Sequence, residues 1–128
     1  LMKTIESKGA EAVIGGDFNL LPTLEARAQL PERAQSYYNS LETEIAPLMD
    51  TYLSVPSLEA MSGDNSQQWY THSANYAEDK TPNKTLDYLF ATPGVGVSDA
   101  QVLHGVALPI SDHMPVLATF TFPQVEAR

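Results

Sequence analysis

The chain has 128 residues and no cysteine, and its 16 acidic against 7 basic residues give a formal net charge of −9. This length suits one domain with a single core, and the lack of cysteine excludes disulfides, thiolate metal sites and cysteine nucleophiles. The acidic balance argues against tight, sequence-independent binding of DNA or RNA, because such binding uses basic patches to displace phosphate counterions. The negative net charge is compatible with an acidic site for a divalent cation.

The first part of the chain predicts a helix and then a strand. Leu1, Met2 and Ile5 stand at helical spacing and Gly9 follows as a stop, which is typical of the end of an amphipathic helix. A natural protein rarely begins in mid-helix on a leucine, so we expect the chain to be part of a longer one. Residues 11–16 carry an apolar run that ends in two glycines, and this predicts a short, fully buried strand.

The middle of the chain predicts loops and helices. Residues 20–35 indicate a loop with a short helix that Pro31 interrupts. Apolar residues at i, i+4 and i+7 predict a helix over roughly 35–46, with Pro47 near its end. Residues 50–53 either continue that helix or form a short strand.

Turn-forming residues dominate the next stretch. Residues 54–66 predict a surface loop. Residues 67–72 are aromatic and β-branched, which predicts the start of a strand, and residues 73–83 predict a second polar loop.

Three strands are predicted in the last third of the chain. Residues 85–92 alternate along an apolar strand that carries Asp87, and a turn at residues 93–94 leads into a second strand at 95–103. Residues 116–122 show the clearest alternation. Strands near both ends with helix between them predict an α/β or α+β fold.

The segment G-D-F-N follows the first predicted strand. In an extended segment residues two apart face the same side, so Asp17 and Asn19 would lie side by side with Phe18 turned into the core. Gly15 and Gly16 would let another backbone or a ligand approach closely. A carboxylate can bind a metal or accept a proton, and an amide can donate to an anionic oxygen. The alternative, slightly favoured by this stretch alone, is an Asx-type turn that closes the strand.

A single carboxylate, Asp87, interrupts the apolar strand at residues 85–92. Burying it is costly unless it is paired, and a histidine is the natural partner because the carboxylate fixes the tautomer of the ring and raises its basicity. The alternative is an acid on an edge strand that faces water. The candidate partners are His72, His104 and His113, and the first two stand in polar or turn-like surroundings that predict surface positions.

The segment S-D-H-M-P precedes the last predicted strand. Pro115 biases Met114 towards an extended conformation, which restricts the loop. Histidine is the commonest general base near neutral pH, which makes His113 a candidate, and Asp112 belongs to the usual ligands of hard cations. The alternative is a polar loop that caps a strand.

In these three segments and their order, the chain resembles the endonuclease/exonuclease/phosphatase superfamily, which has the deoxyribonuclease-I-like fold. The resemblance covers about residues 1–122. It implies an α/β (α+β) fold: half of a four-layer α-β-β-α sandwich, with a mixed, mostly antiparallel sheet and flanking helices. Residues 1–128 would then be the C-terminal half of the domain, and the N-terminal half would be absent.

The resemblance also implies divalent-metal-dependent hydrolysis of a phosphodiester or phosphomonoester, with Mg²⁺ or Mn²⁺. Asp17 would orient or activate the attacking water, or help to hold the metal-bound phosphate, and Asn19 would hydrogen-bond a phosphate oxygen. Asp87 would pair with His113, which would act as general base or as a phosphate-binding partner. Asp112 and Asp17 would be metal ligands, or Asp112 would interact with a metal ligand without contacting the metal itself.

The implied substrates are a nucleic acid, a phospholipid or a small phosphate ester, and no stretch of the sequence approaches the length of a transmembrane segment.

The metal-binding Glu and the Asn of the family's N-terminal half would precede residue 1, and neither Glu6 nor Glu11 is assigned that role. We therefore expect the isolated chain to be inactive or very weak. It would pair with the missing N-terminal half or self-associate through its exposed sheet. The rival interpretation is a non-catalytic fragment or assembly module that needs a separate N-terminal half.

Overall fold

The computed structural model describes residues 1–38, 43–73, 81–105 and 109–124. The helices are α1 (Met2–Glu6), α2 (Leu24–Ala28), α3 (Glu32–Gln35), α4 (Ala46–Thr51) and α5 (Leu58–Ser62), with a 3₁₀ helix at Ser66–Trp69. The strands are β1 (Val13–Asp17), β2 (Leu53–Val55), β3 (His72–Ser73), β4 (Pro82–Lys84), β5 (Asp87–Ala91), β6 (Gly96–Val102) and β7 (Val116–Thr121). All strand pairs in these ranges are antiparallel. The predicted α+β class with antiparallel pairing is confirmed.

Strand β5 is the centre of a three-stranded sheet with the order β1-β5-β2. The register sets Val13 opposite Ala91 at one end of the β1–β5 pair and Asp17 opposite Asp87 at the other. Strands β3 and β4 form one two-stranded sheet, and β6 and β7 form another. The β1–β5 register therefore brings two carboxylates to the same end of the central sheet.

The main core lies against one face of β5. Tyr88 and Phe90 are fully buried, whereas Asp87 and Leu89 on the opposite face are half-buried, which confirms the predicted alternation. The buried cluster around this face consists of Met2, Ile45, Tyr52, Met61, Tyr88 and Phe90. Phe18 packs edge-on against it, with ring centroids 5.3 Å from Phe90 and 6.0 Å from Tyr88. The prediction that Phe18 turns into the core is confirmed, and this contact anchors the segment between Asp17 and Asn19.

The prediction of a fully buried first strand is wrong. Val13 and Ile14 are half-buried, and Gly15, Gly16 and Asp17 are exposed. Within the described residues β1 pairs only with β5 and forms the edge of its sheet. An edge strand keeps one side of its backbone open, so its end is accessible from solvent.

The helix predicted over 35–46 is also wrong where the structure describes it. Residues 36–38 form a turn after α3, residues 39–42 lie outside the described part of the chain, and α4 begins at Ala46. Pro47 stands in the first turn of α4 instead of near a helix end. Proline is favoured in the first turn because its missing N–H would be unpaired there in any case. Residues 50–53 take both forms expected of them, since α4 ends at Thr51 and β2 starts at Leu53.

Residues 54–73 contain more helix and less strand than predicted. Helix α5 begins after Ser57, whose hydroxyl accepts a hydrogen bond from the Ala60 N–H as an N-cap. The aromatic run expected to start a strand forms the 3₁₀ helix instead, and β3 is only two residues long. Of the loop predicted at 73–83, residues 74–80 lie outside the described part and Pro82 begins β4.

The remaining local predictions are confirmed. Helix α1 ends before Gly9, which has φ +70°, and Pro31 separates α2 from α3. Residues 93–94 form a turn, and β6 and β7 lie within the predicted strands. In the described ranges, no helix combines the length and the apolar character needed to cross a bilayer.

Candidate active site

Two backbone segments lie side by side and form the floor of the site. The Ser73 N–H donates to the Asp112 carbonyl at 2.8 Å, and the Met114 N–H donates to the Thr71 carbonyl at 2.7 Å. These bonds flank an antiparallel bridge between His72 and His113. Side chains at such a non-hydrogen-bonded pair approach each other closely. The two imidazole rings accordingly meet edge to face, with centroids 4.6 Å apart.

His113 is hydrogen-bonded to Asp87 at the start of β5. Its Nδ1 lies 2.9 Å from Oδ2 and 3.1 Å from Oδ1 of that carboxylate, whose side chain is 17% exposed. A carboxylate at Nδ1 holds the proton on that nitrogen and leaves the Nε2 lone pair available. The structure thus brings together the two residues that the sequence predicted as partners.

Asp17 faces the other nitrogen of the same ring. The Nε2 of His113 lies 4.0 Å from the Oδ2 of Asp17, whose side chain is 48% exposed. The antiparallel register of β1 and β5, which sets Asp17 opposite Asp87, produces this arrangement. One imidazole therefore lies between two carboxylates, of which one is shielded and the other is open to water.

The G-D-F-N segment ends in a turn. Asn19 has φ +52°, and its N–H donates to the Oδ1 of Asp17 at 2.8 Å, as in an Asx turn. The expectation of an extended segment with both side chains abreast is therefore wrong, because Asn19 adopts a left-handed conformation. The Asx turn does not prevent Asp17 from contributing to the site. Its Oδ1 accepts the hydrogen bond of the turn, and its Oδ2 faces His113. Asn19 itself is exposed and lines a cleft of about 140 Å³ together with Arg27 and Tyr38.

The two glycines before Asp17 differ in their surroundings. A Cβ on Gly15 would collide with the side chain of Leu89 on the neighbouring strand, and it would lie 3.4 Å from the Tyr88 carbonyl. A Cβ on Gly16 would meet nothing within 4 Å. Of these two glycines, Gly15 is the one where a Cβ would displace a neighbouring side chain, and Gly16 leaves open space beside Asp17.

Thr71 is a component of the site that sequence reasoning missed. Its hydroxyl donates to the Oδ2 of Asp87 at 2.7 Å and accepts from the N–H groups of Leu86 and Asp87 at 2.9 and 3.1 Å. The residue is fully buried. A threonine in a strand-like run gives no signal of such a position, because threonine is common in strands. The hydroxyl fixes the carboxylate that in turn holds His113.

His72 is the second component that was missed, and its predicted surface position is wrong. Its side chain is only 15% exposed, and its Nε2 lies 3.6 Å from the Oδ2 of Asp112. Burial lowers the pKa of the His72 imidazole, and the neighbouring Lys84 and His113 lower it further, while Asp112 and Asp87 oppose the change. His72 is therefore held in its neutral form at neutral pH.

The other polar residues considered from the sequence lie elsewhere. His104 is exposed as predicted, and its Nε2 lies 2.8 Å from the Tyr70 carbonyl oxygen. Glu6 accepts a hydrogen bond from the Tyr52 hydroxyl at 2.9 Å, and Glu11 is hydrogen-bonded to a threonine hydroxyl at the far end of β5. Both glutamates are thus engaged away from His113.

Among the residues that the structure describes, two groups of side chains could hold a metal ion, and both include His113. One consists of Asp17, Asp87 and His113, the other of His72, Asp112 and His113, each with ligand atoms within 4.8 Å of one another. Asp17 and Asp112, predicted together as metal ligands, therefore fall in different groups. Mg²⁺ is usually held by one or two carboxylates and keeps several waters. The exposed carboxylate of Asp17 leaves room for such waters, so the donors present fit a hard divalent cation.

A comparison with protein families gives a match over most of the chain. The family model described as "Endonuclease/Exonuclease/phosphatase family" matches residues 1–113. The matched range contains Asp17, Asn19, Asp87 and Asp112 and ends at His113. No curated protein and no solved structure matches the chain.

Proposed function

Since the chain belongs to the endonuclease/exonuclease/phosphatase family, a family of phosphoesterase- and nuclease-type hydrolases, we propose that it carries the water-activating part of a divalent-metal-dependent phosphoesterase. The reaction is hydrolysis of a phosphodiester or phosphomonoester. Residues 1–128 are the C-terminal half of the catalytic domain in this proposal.

The observation that carries the proposal is the alignment of Asp87, His113 and Asp17. The distance of 4.0 Å between Nε2 of His113 and Oδ2 of Asp17 is too long for a direct hydrogen bond. It allows one oxygen atom at about 2.8 Å from both groups. A water molecule in that position has a proton acceptor on each side, so His113 and Asp17 can orient and deprotonate it together.

Each side chain then has a defined task. His113 takes a proton on Nε2 as general base, and Asp87 stabilises the resulting imidazolium through its 2.9 Å contact with Nδ1. Asn19, exposed beside Asp17, donates to a phosphate oxygen. If the oxygen between His113 and Asp17 belongs to the phosphate, His113 serves as the phosphate-binding partner instead.

Asp17 would hold the divalent ion, Mg²⁺ or Mn²⁺, and Asp112, which falls in the other group of candidate ligands, would support a ligand of the ion without contacting the ion itself. When bound, the ion neutralises charge that develops on the phosphate and aligns the leaving oxygen. The substrate is a nucleic acid, a phospholipid or a small phosphate ester. With a net charge of −9, the chain itself supplies little attraction for a nucleic acid backbone.

A second candidate function is a non-catalytic module that assembles with a separate N-terminal half. It is favoured by the ribbon of β6 and β7, in which no residue is fully buried and one face of β7 is exposed. A two-stranded ribbon is by itself marginally stable. Leu117 and Phe122 are 39% and 51% exposed there, so this surface is suited to pack against another sheet.

The test is hydrolysis of bis(p-nitrophenyl) phosphate with Mg²⁺ or Mn²⁺, by the chain alone and by the longer protein that includes the N-terminal half. We expect weak or no turnover by the chain and clear turnover by the longer protein. His113→Gln should lower the rate by about 10²–10⁴, while the matched variant His104→Gln should leave it unchanged. An inert longer protein with every divalent metal would favour the assembly module, and full activity of His113→Gln would refute the assigned role.

A further inference from the structure

Three ligand atoms converge beside the proposed water site without being hydrogen-bonded to one another. The Nε2 of His72 and the Oδ2 of Asp112 are 3.6 Å apart, beyond the range of a hydrogen bond. The donor atoms of His72, Asp112 and His113 all lie within 4.8 Å of one another, and all three residues are half-buried. A tetrahedral ion with bonds of 2.0–2.1 Å holds its ligand atoms about 3.3 Å apart. The separation of His72 and Asp112 is close to that value.

The backbone holds the two imidazoles in place. His72 and His113 face each other across an antiparallel bridge, and hydrogen bonds of 2.8 and 2.7 Å flank them on both sides. Ligands on paired backbone segments keep their relative positions better than ligands on separate loops. The two rings are thus presented as a pair before any ion arrives.

The side chains around these donors also suit a metal centre. Asp87 accepts from the Nδ1 of His113 at 2.9 Å, and metal-binding imidazoles commonly donate their other N–H to a carboxylate in this way.

We propose that His72, Asp112 and His113 form a site for a transition-metal ion of the Zn²⁺ class. Two imidazoles and one carboxylate suit Zn²⁺ or Co²⁺ better than Mg²⁺ or Mn²⁺, which prefer oxygen ligands. The site differs in chemistry from the carboxylate site of the proposed reaction. Because His113 belongs to both, a Zn²⁺ ion on its Nε2 prevents that nitrogen from accepting a proton and inhibits hydrolysis. This inhibition, unlike the binding, rests on the proposed function.

The experiment is a titration of the metal-free chain with Co²⁺, followed by its visible ligand-field absorption, and then displacement by Zn²⁺. We expect one equivalent to give the strong bands of a tetrahedral site, which Zn²⁺ removes and Mg²⁺ does not. His72→Gln and Asp112→Asn should each weaken Co²⁺ binding about 100-fold. His104→Gln is the matched control and should bind as the original chain does.

The unsubstituted chain provides an independent check, because a variant of half-buried His72 could fold poorly. Zn²⁺ should shift the imidazole NMR resonances of His72 and His113 and leave those of His104 in place. Shifts at His104, Co²⁺ bands of octahedral type, or tight binding by a folded His72→Gln variant would overturn the proposal. None of these readouts requires turnover, so a protein that fails to hydrolyse phosphate esters would contradict the proposed function and leave this test intact.

Discussion

His113 and Asp17 face each other across 4.0 Å, and the shielded carboxylate of Asp87 holds the opposite nitrogen of the same ring at 2.9 Å. Asp87 and His113 are 26 positions apart in the chain, so proximity in sequence does not bring them together. The pairing of β1 with β5 brings the two aspartates together, and the bridge between His72 and His113 places the ring between them. The first two predictions test this arrangement, and the next two test the packing that supports it.

Replacing Asp87 with Asn should lower phosphodiesterase turnover of the longer protein by about 10³. The amide has nearly the same shape but cannot stabilise an imidazolium or hold the proton on Nδ1 of His113. Nitrogen NMR of the ring should show the change of tautomer. The matched control is Asp99→Asn, an exposed strand residue with φ +52°, a conformation that asparagine tolerates. Equal losses in both variants would mean that the effect is not specific to the site.

Replacing Thr71 with Val should lower both stability and turnover, whereas Thr71→Ser should retain most of both. Valine has the shape of threonine but leaves the N–H groups of Leu86 and Asp87 without their acceptor, at a cost of about 1–3 kcal/mol. Urea unfolding measures the stability. Because the hydroxyl also positions Asp87, the pH profile of kcat should change in the valine variant, and an unchanged profile would limit Thr71 to a structural role.

Gly15→Ala should destabilise the fold by about 1–2 kcal/mol, because the new methyl group must displace the side chain of Leu89. Gly16→Ala is the paired control, since a Cβ there meets nothing within 4 Å. It should be neutral or slightly stabilising, because alanine loses less backbone entropy than glycine. Thermal unfolding of the two variants gives the comparison, and the reverse order of stability would contradict the packing described for β1.

Tyr88→Phe should lower the free energy of unfolding by about 1–3 kcal/mol. The buried hydroxyl lies 2.8 Å from the Leu20 carbonyl oxygen and 2.9 Å from that of Thr85, and both lose this donor in the variant. Tyr37→Phe, at a residue that is 75% exposed, should change little. Chemical denaturation near neutral pH distinguishes the two.

The same hydroxyl predicts a response to alkaline pH. Burial raises the pKa of Tyr88 above the ordinary value of 10.0. Between the ordinary and the raised pKa the unfolded chain loses the proton while the folded chain keeps it. The stabilisation from this group is thus complete below pH 10.0 and declines as the pH rises above it. Tyr88→Phe should show a smaller alkaline loss of stability than the original chain, and identical slopes would contradict the assignment.

The elements predicted correctly are those whose pattern is local. The alternation around β5 and along β7 survives in the structure because side chains of a strand face alternate sides whatever lies beyond them. The helix expected over 35–46 is wrong in the described residues because Pro47, expected near the end of that helix, stands in the first turn of α4, where proline is favoured. The strand predicted to start within residues 67–72 begins only at His72, and residues 67–69 belong to the 3₁₀ helix, because strand propensity depends strongly on context.

The residues of the candidate site also divide into those that the sequence identifies and those that only the structure reveals. Asp17, Asn19, Asp87, Asp112 and His113 could be selected from the sequence, because residue type and order carry their chemical character. Thr71 and His72 could not, since a threonine or a histidine becomes a positioning group or a ligand only through what packs against it. The Thr71 carbonyl accepts a hydrogen bond from the Met114 N–H, and His72 lies opposite His113 in an antiparallel bridge, so both depend on residues about 40 positions away. The sequence therefore determined which functional groups the chain offers, and long-range strand pairing decided that one imidazole lies between two carboxylates and beside a second imidazole.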